Sequence, residues 1–597
     1  MATKKTSAEV KTTAETKKAP AKKSGTGNTA ASKKAAGNTK PVKATPAKKE
    51  VAEVKPTNKE VAEVKPINKE VAEVKPANKG VAEVKPVEKA PVAVKPTQKA
   101  VAKHAEPKAQ PKSELKVEPK RKRIVLFVCS EAFPFAGTGG LGEVMGSLPR
   151  AINEQKGDYE ARIILPLYES LPDSIRAKLE FMCHINVPLA WRQQYCGLFK
   201  YNHNGTIYYF IDNEYYFKRP NLYGYYDDGE RFAFFSRAVV EIIPFLGFKP
   251  DVLHCQDWQT ALVPIYYKLF YMFREGYGGI KTVFTIHNIE YQGKYSRSII
   301  EDVFGIPDRE YMSIEHHGCI NLMKGAIDYS DLISTVSPTY AKEITDPYYA
   351  HGLENVLLKN AHKLRGILNG VDVDEYNPRT QKALFYNYDE NNLEGKAKSK
   401  AELQKMLSLP ESPDTPIIAI ISRLVGHKGI DLVRQSMNNI ISKNVQVVLL
   451  GKGDPDYENY FTHVQKMYDR RFSAVINYNK DLSHKIYAGA DIFLMPSRSE
   501  PCGLSQMMAC RYGTIPIVRE TGGLADSIVD CFDGGIGNGF RFAHYDSADM
   551  LNAIDRAVGL YNDYKDKWKG LVYRAMTTDF TWKKSAVEYV KMYNALY

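Results

Sequence analysis

Residues 1–123 contain no Phe, Tyr, Trp or Cys. Without large apolar side chains to bury, that stretch has no means of building a packed core. Nowhere in the 597 residues is there an uninterrupted apolar run of about 18, which excludes a membrane-spanning helix. The beginning of the chain also lacks the apolar segment of a secretory signal. It is rich in Lys rather than Arg and contains Glu, unlike an organelle transit peptide. Close CxxC pairs are missing too: the eight cysteines (129, 183, 196, 255, 319, 502, 510 and 531) are scattered. This argues against a disulfide scaffold or a cysteine-based zinc site and fits a reducing cytosol. A cytoplasmic protein with neither metal nor cofactor is the expectation.

What is present divides the chain in two. Residues 1–123 carry 31 Lys and Arg against 13 Glu, a net +18, whereas residues 124–597 carry 51 basic against 56 acidic side chains, a net −5. The basic character therefore belongs to the first segment. Within it a ten-residue unit recurs, KEVAEVKPTN from Lys49, KEVAEVKPIN from Lys59 and KEVAEVKPAN from Lys69, followed by two degenerate copies. Each unit is too short and too poor in large apolar groups for a solenoid, and Pro returns every tenth residue. Residues 1–120 are accordingly expected to be a disordered tail of polyproline character. Its charge predicts salt-sensitive contact with acidic polymers.

The remainder is long enough for two α/β units. Short apolar runs alternate with helical periods such as Arg231–Leu246 and Gly429–Ile441, the pattern of parallel sheets wound by helices. One series of strand candidates comprises Ile124–Cys129, Ala161–Leu165, Thr206–Ile211, Val252–His254, Thr282–Ile286 and Leu332–Val336. A second comprises Gly366–Leu368, Ile417–Ile421, Gln446–Leu450, Ala474–Tyr478, Ile492–Met495 and Thr514–Val518. The expected fold is α/β, with two Rossmann-like doubly wound domains, 121–372 and 373–575, facing a central cleft. The hinge falls near 370–375, and a helix within 576–597 crosses back to the first domain.

Two apolar runs lead to the same four residues, Thr138-Gly-Gly-Leu141 and Thr521-Gly-Gly-Leu524. A glycine turn between strand and helix bares backbone N–H groups at the positive end of a helix dipole, which suits an anion or a sugar hydroxyl. Other polar residues stand at strand ends, where open α/β sheets bind ligands. Arg423 and Lys428 lie five apart between a strand and a glycine, so both cations can converge on one diphosphate. Glu500 precedes Pro501 after the strand Ile492–Met495, placed to accept sugar hydroxyls or to cap a helix. His287 and Asp257 end two strands of the first half. Cys502 has no evident His partner and is not read as a nucleophile.

With these residues in place, the chain from about 122 to 597 resembles the bacterial glycogen synthase and plant starch synthase family, retaining glucosyltransferases of the two-Rossmann GT-B fold. The likeness continues through Phe210-Ile-Asp-Asn-Glu-Tyr215, Thr335-Val-Ser-Pro-Thr-Tyr340, Leu368-Asn-Gly-Val-Asp372 and Gly451-Lys-Gly-Asp454. It implies ADP-glucose or UDP-glucose as donor and the non-reducing end of an α-1,4-glucan as acceptor. Arg423 and Lys428 would grip the diphosphate, and Glu500 would hold glucose hydroxyls with the backbone of Cys502, Gly503, Leu504 and Ser505. His287 would meet the glucose 6-hydroxyl, Asp257 would shape the sugar site, and Tyr478 would stack on the base. Gly139 and Gly140 would complete the substrate site. The chain departs from the family at Gly137, where Lys is usual. Milder departures are Glu143, where Asp is common, and Gln259, where His is usual. The loss at 137 raises a second reading, a glucan-binding or regulatory protein with a decayed site. A third, a nicotinamide-dependent oxidoreductase, would use the Gly-x-Gly-x-x-Gly of Gly137–Gly142, but that pattern sits eight residues past the strand end near Cys129.

Overall fold

The computed structural model describes residues 121–597, so the expectations for the basic tail lie outside the described residues. Seven strands of the larger sheet run parallel, in the spatial order Leu364–Gly366, Leu332–Thr335, Lys281–Ile286, Val252–Gln256, Arg123–Val128, Tyr159–Pro166 and Thr206–Asp212. An antiparallel hairpin, Arg192–His203 with Glu180–Leu189, extends one edge. The second sheet is wholly parallel: Phe472–Val475, Gln446–Leu450, Ile417–Ile421, Ile492–Met495, Ile515–Arg519 and Phe540–Phe542. Helices cover the sheets with amphipathic faces. Ile430–Ile441, for example, buries Ile430, Val433, Met437, Ile440 and Ile441, one stripe at helical spacing.

In each sheet the strand order reverses once near the middle, between Arg123–Val128 and Val252–Gln256 in the first and between Ile417–Ile421 and Ile492–Met495 in the second. A crevice opens at the carboxyl ends of strands where the connections part to opposite sides. These four strands lead into the glycine turn at 138–141, Asp257, Arg423 and Glu500.

Two expected strands are displaced. Leu364–Gly366 ends where the expected Gly366–Leu368 begins, and Phe472–Val475 replaces the expected Ala474–Tyr478, leaving Tyr478 beyond the strand and 80% exposed. The long hairpin at 180–203 has no counterpart among the expected strands, because much of it faces solvent and its apolar residues are interrupted. The chain ends in the helix Trp582–Asn594, which packs on the first-half helix Gly140–Glu154. Tyr593 hydrogen-bonds His254 Nδ1 at 2.8 Å, and Ser585 donates to the Leu368 carbonyl at 2.5 Å. At Gly370 an added Cβ would stand 2.6 Å from the Trp582 nitrogen, so only glycine lets the crossover pass this close.

Candidate functional site

A cleft of about 790 Å³ lies between the carboxyl ends of the two sheets. It is lined by every site residue named from the sequence: Gly139, Gly140, Asp257 and His287 from the first half, and Arg423, Lys428, Tyr478, Glu500, Cys502, Gly503, Leu504 and Ser505 from the second. Gln259 is buried away from it.

On the second-half wall Lys428 reaches both oxygens of Glu500, at 2.9 and 2.7 Å, and Ser497 donates to the same carboxylate at 3.0 Å. Gly429 makes this possible. Its φ is +73°, and a Cβ there would fall 2.0 Å from the Pro496 carbonyl oxygen, so the turn presses directly on the end of the neighbouring strand. Arg423 is exposed, and among the described residues its guanidinium has no hydrogen-bond or ion-pair partner. Burial pushes the Cys502 thiol up to about 12, which leaves no thiolate for a nucleophilic role.

On the opposite wall Asp257 adopts φ 57° and ψ −179°, a strained backbone for a residue with a side chain, costing about 1–3 kcal/mol. Its carboxylate accepts the backbone N–H groups of His287 at 2.7 Å and Asn288 at 3.4 Å, fixing the turn that carries His287. Withdrawal from water nevertheless raises Asp257 to about 7. Burial lowers His287 to about 3, so the imidazole is neutral near pH 7. Gln256 Nε2 donates to the His254 carbonyl at 3.1 Å, which leaves its Oε1 to accept the His287 Nε2–H at 2.8 Å. The network thereby assigns the free lone pair to His287 Nδ1, which can accept a hydroxyl.

The first glycine turn is open. A Cβ at Gly139 or Gly140 would meet nothing within 4 Å, and both residues line the cleft. Thr138 anchors the turn by donating its N–H and hydroxyl to Glu131 at 2.7 and 2.9 Å. The second turn corrects the sequence expectation, because its glycines serve the protein. The Gly523 N–H donates to the carbonyls of Glu500 and Pro501, both at 3.2 Å, and a Cβ at Gly523 would stand 2.2 Å from the Cys502 carbonyl oxygen. Residues that motif reading passed over also line the cleft, among them Glu131, Asn288, Tyr376, Lys480 and Tyr487. Glu131 had a readable signal in its position just past the first strand, whereas Lys480 had none beyond its nearness to Tyr478.

Two nucleotide-fold domains meeting at a cleft, with cations and a carboxylate on one wall and a neutral histidine on the other, define a glycosyltransferase of the GT-B class. Comparison with known proteins narrows this. Residues 124–359 match the family model "Starch synthase catalytic domain", and residues 404–569 match "Glycosyl transferases group 1". The chain is 47% identical over 476 residues to the glycogen synthase of Clostridium perfringens, covering 79% of this chain and 98% of that one. Against the glycogen synthase of Geobacillus thermodenitrificans it is 45% identical, covering 79% and 97%. Among solved structures, the catalytic domain of starch synthase IV from Arabidopsis thaliana, bound to ADP and acarbose, superposes with a TM-score of 0.74. The identity is 34%, over 80% of this chain and 99% of that one. Sucrose-phosphate synthase from Thermosynechococcus elongatus shares the fold at TM-score 0.51 and 16% identity. The chain belongs to the glycogen and starch synthase family and is a glycosyltransferase. No described helix is long and apolar enough to cross a membrane.

Proposed function

We propose that this protein transfers glucose from ADP-glucose to the non-reducing end of an α-1,4-glucan with retention of configuration. The observation that carries the reading is the pairing of Lys428 with Glu500 beside the exposed Arg423, opposite a neutral His287. Arg423 and Lys428 receive the diphosphate and neutralise the charge that develops as the nucleotide departs. Glu500 turns from Lys428 to the donor's sugar hydroxyls, and His287 Nδ1 accepts another hydroxyl from the far wall. Holding the acceptor hydroxyl close to the donor's anomeric carbon then supplies much of the rate. The donor needs no pair of catalytic acids of the kind that flank a glycosidic bond in glycosidases.

ADP-glucose is preferred over UDP-glucose because the solved plant starch synthase carries ADP. The cytoplasm is the proposed location, supported by eight cysteines that are all free thiols. The basic segment 1–123, at net +18, is proposed to hold acidic polymers in a salt-sensitive manner. Incubation with labelled ADP-glucose or UDP-glucose and glycogen tests the reaction. Incorporation from ADP-glucose with release of ADP supports it, faster incorporation from UDP-glucose corrects the donor, and glucan binding without transfer from either supports the regulatory alternative.

A further inference from the structure

The walls of the cleft differ in sign. Its first-half lining supplies Glu131, Glu143, Asp257 and Glu290 and no Lys or Arg, and Gly137 nearby has no side chain at all. Every Lys and Arg in the lining, Arg423, Lys428, Lys480 and Arg498, comes from the second half. Arg423 and Lys428 already have the diphosphate to hold, and Arg498 leans on Asp431 at 3.3 Å.

Lys480 is the cation with no assigned purpose. It opens the helix Lys480–Gly489, two residues after the exposed Tyr478, and Ser483 and Tyr487 of the same helix line the cleft with it. A cation at a helix N-terminus opposes the helix dipole, at a cost of about 0.3–1 kcal/mol, so local stability does not explain it. Its ammonium rests on Glu375 at 2.8 Å, outside the cleft lining, and its charge acts on Glu143 of the opposite wall. Desolvation pulls the ammonium toward neutrality, but the hydrogen bond and charge of Glu375 carry it above the ordinary lysine value, so it remains a cation.

We propose that Lys480 is a donor-binding residue that leaves Glu375 for the phosphate of the entering nucleotide sugar, adding a third cation at the nucleoside end beside Tyr478. This rests on the donor being a nucleoside diphosphate sugar.

The test measures ADP affinity by calorimetry, together with the KM for ADP-glucose and for glycogen, in the full-length wild type and in Lys480→Met, Lys480→Arg and Glu375→Gln. Losing one charge-assisted contact should weaken ADP binding and raise the donor KM about tenfold in Lys480→Met. In that variant kcat should stay within about threefold and the glycogen KM should be unchanged. Lys480→Arg should remain near wild type, and Glu375→Gln, which frees the ammonium, should bind ADP equally or more tightly. Lys480→Met within about twofold of wild type in ADP affinity and donor KM overturns the proposal. So does a Glu375→Gln variant that reproduces the loss, since Lys480 would then act only by pinning Glu375. A wild type that binds ADP but transfers no glucose overturns the functional reading instead, while the ADP affinities still decide the role of Lys480.

Discussion

Two turns of identical sequence, Thr138–Leu141 and Thr521–Leu524, have opposite surroundings. In both, a glutamate grips the threonine hydroxyl, Glu131 at 2.9 Å in the first and Glu343 at 2.8 Å in the second. Above the glycines they part. The first pair faces empty cleft, while the second is pressed against the backbone of 500–502, with Cβ positions 2.0 and 2.2 Å from carbonyl oxygens. Glu343 belongs to the first-half helix Pro338–Glu343, so the second turn also ties the two halves together behind Glu500. One motif thus opens onto the cleft, and the other holds Glu500 in place.

The largest expected effect breaks the closed turn. Gly523→Ala drives a methyl into the Cys502 backbone and should cost about 3 kcal/mol or more, read as a lower melting temperature together with lost activity. An unchanged melt would mean that the second turn is as open as the first. Next come the cations beside it. Arg423→Ala should slow transfer roughly tenfold to hundredfold with an unchanged melt, because among the described residues that guanidinium has no partner. Lys428→Ala should slow transfer as much and also melt earlier, because it strands the buried Glu500 carboxylate. Equal melts for the two variants would contradict the pairing.

In the open turn, Gly139→Ala should leave the melting temperature in place while raising the donor KM, since its methyl enters space the protein does not use. The same wall predicts a pH effect. Asp257 is raised in the fold from 3.8 to about 7, so its contribution to stability is complete below about pH 4 and lost as pH rises through 7. Asp257→Asn should flatten that fall in a series of melts, and an unchanged slope would assign it to other groups. The smallest change is expected of Gly137→Lys. The backbone there is not left-handed, but a Cβ would meet the Phe133 ring at 2.8 Å. The ring must swing aside, so a slightly lower melt with level or improved donor affinity is the expected outcome, measured by kinetics and thermal denaturation.

The parallel strands were legible at their bounds where both faces are covered. Ile417–Ile421, Gln446–Leu450 and Ile492–Met495 are unbroken apolar runs apart from the opening Gln446, because neither face meets water. The hairpin at 180–203 was not, since its exposed face dilutes the signal. Residues at strand ends, such as Arg423, Glu500, Asp257 and His287, were legible because strand ends converge at the switch points. The closure of the second turn was hidden because its partners lie twenty residues upstream. Lys480 was hidden because a single lysine in a polar stretch carries no motif, and only the fold turns it toward the cleft.

The proposed function turns on the Glu500 carboxylate, held by Lys428 and backed by the second turn, receiving the sugar of a nucleotide donor. Transfer of labelled glucose from ADP-glucose to glycogen, compared between the wild type and Glu500→Gln at equal folded fraction, tests it most directly. The wild type should incorporate label with one ADP released per glucose, and Glu500→Gln should be about a hundredfold slower with a nearly unchanged melting temperature. Equal rates of incorporation by the two proteins would contradict it.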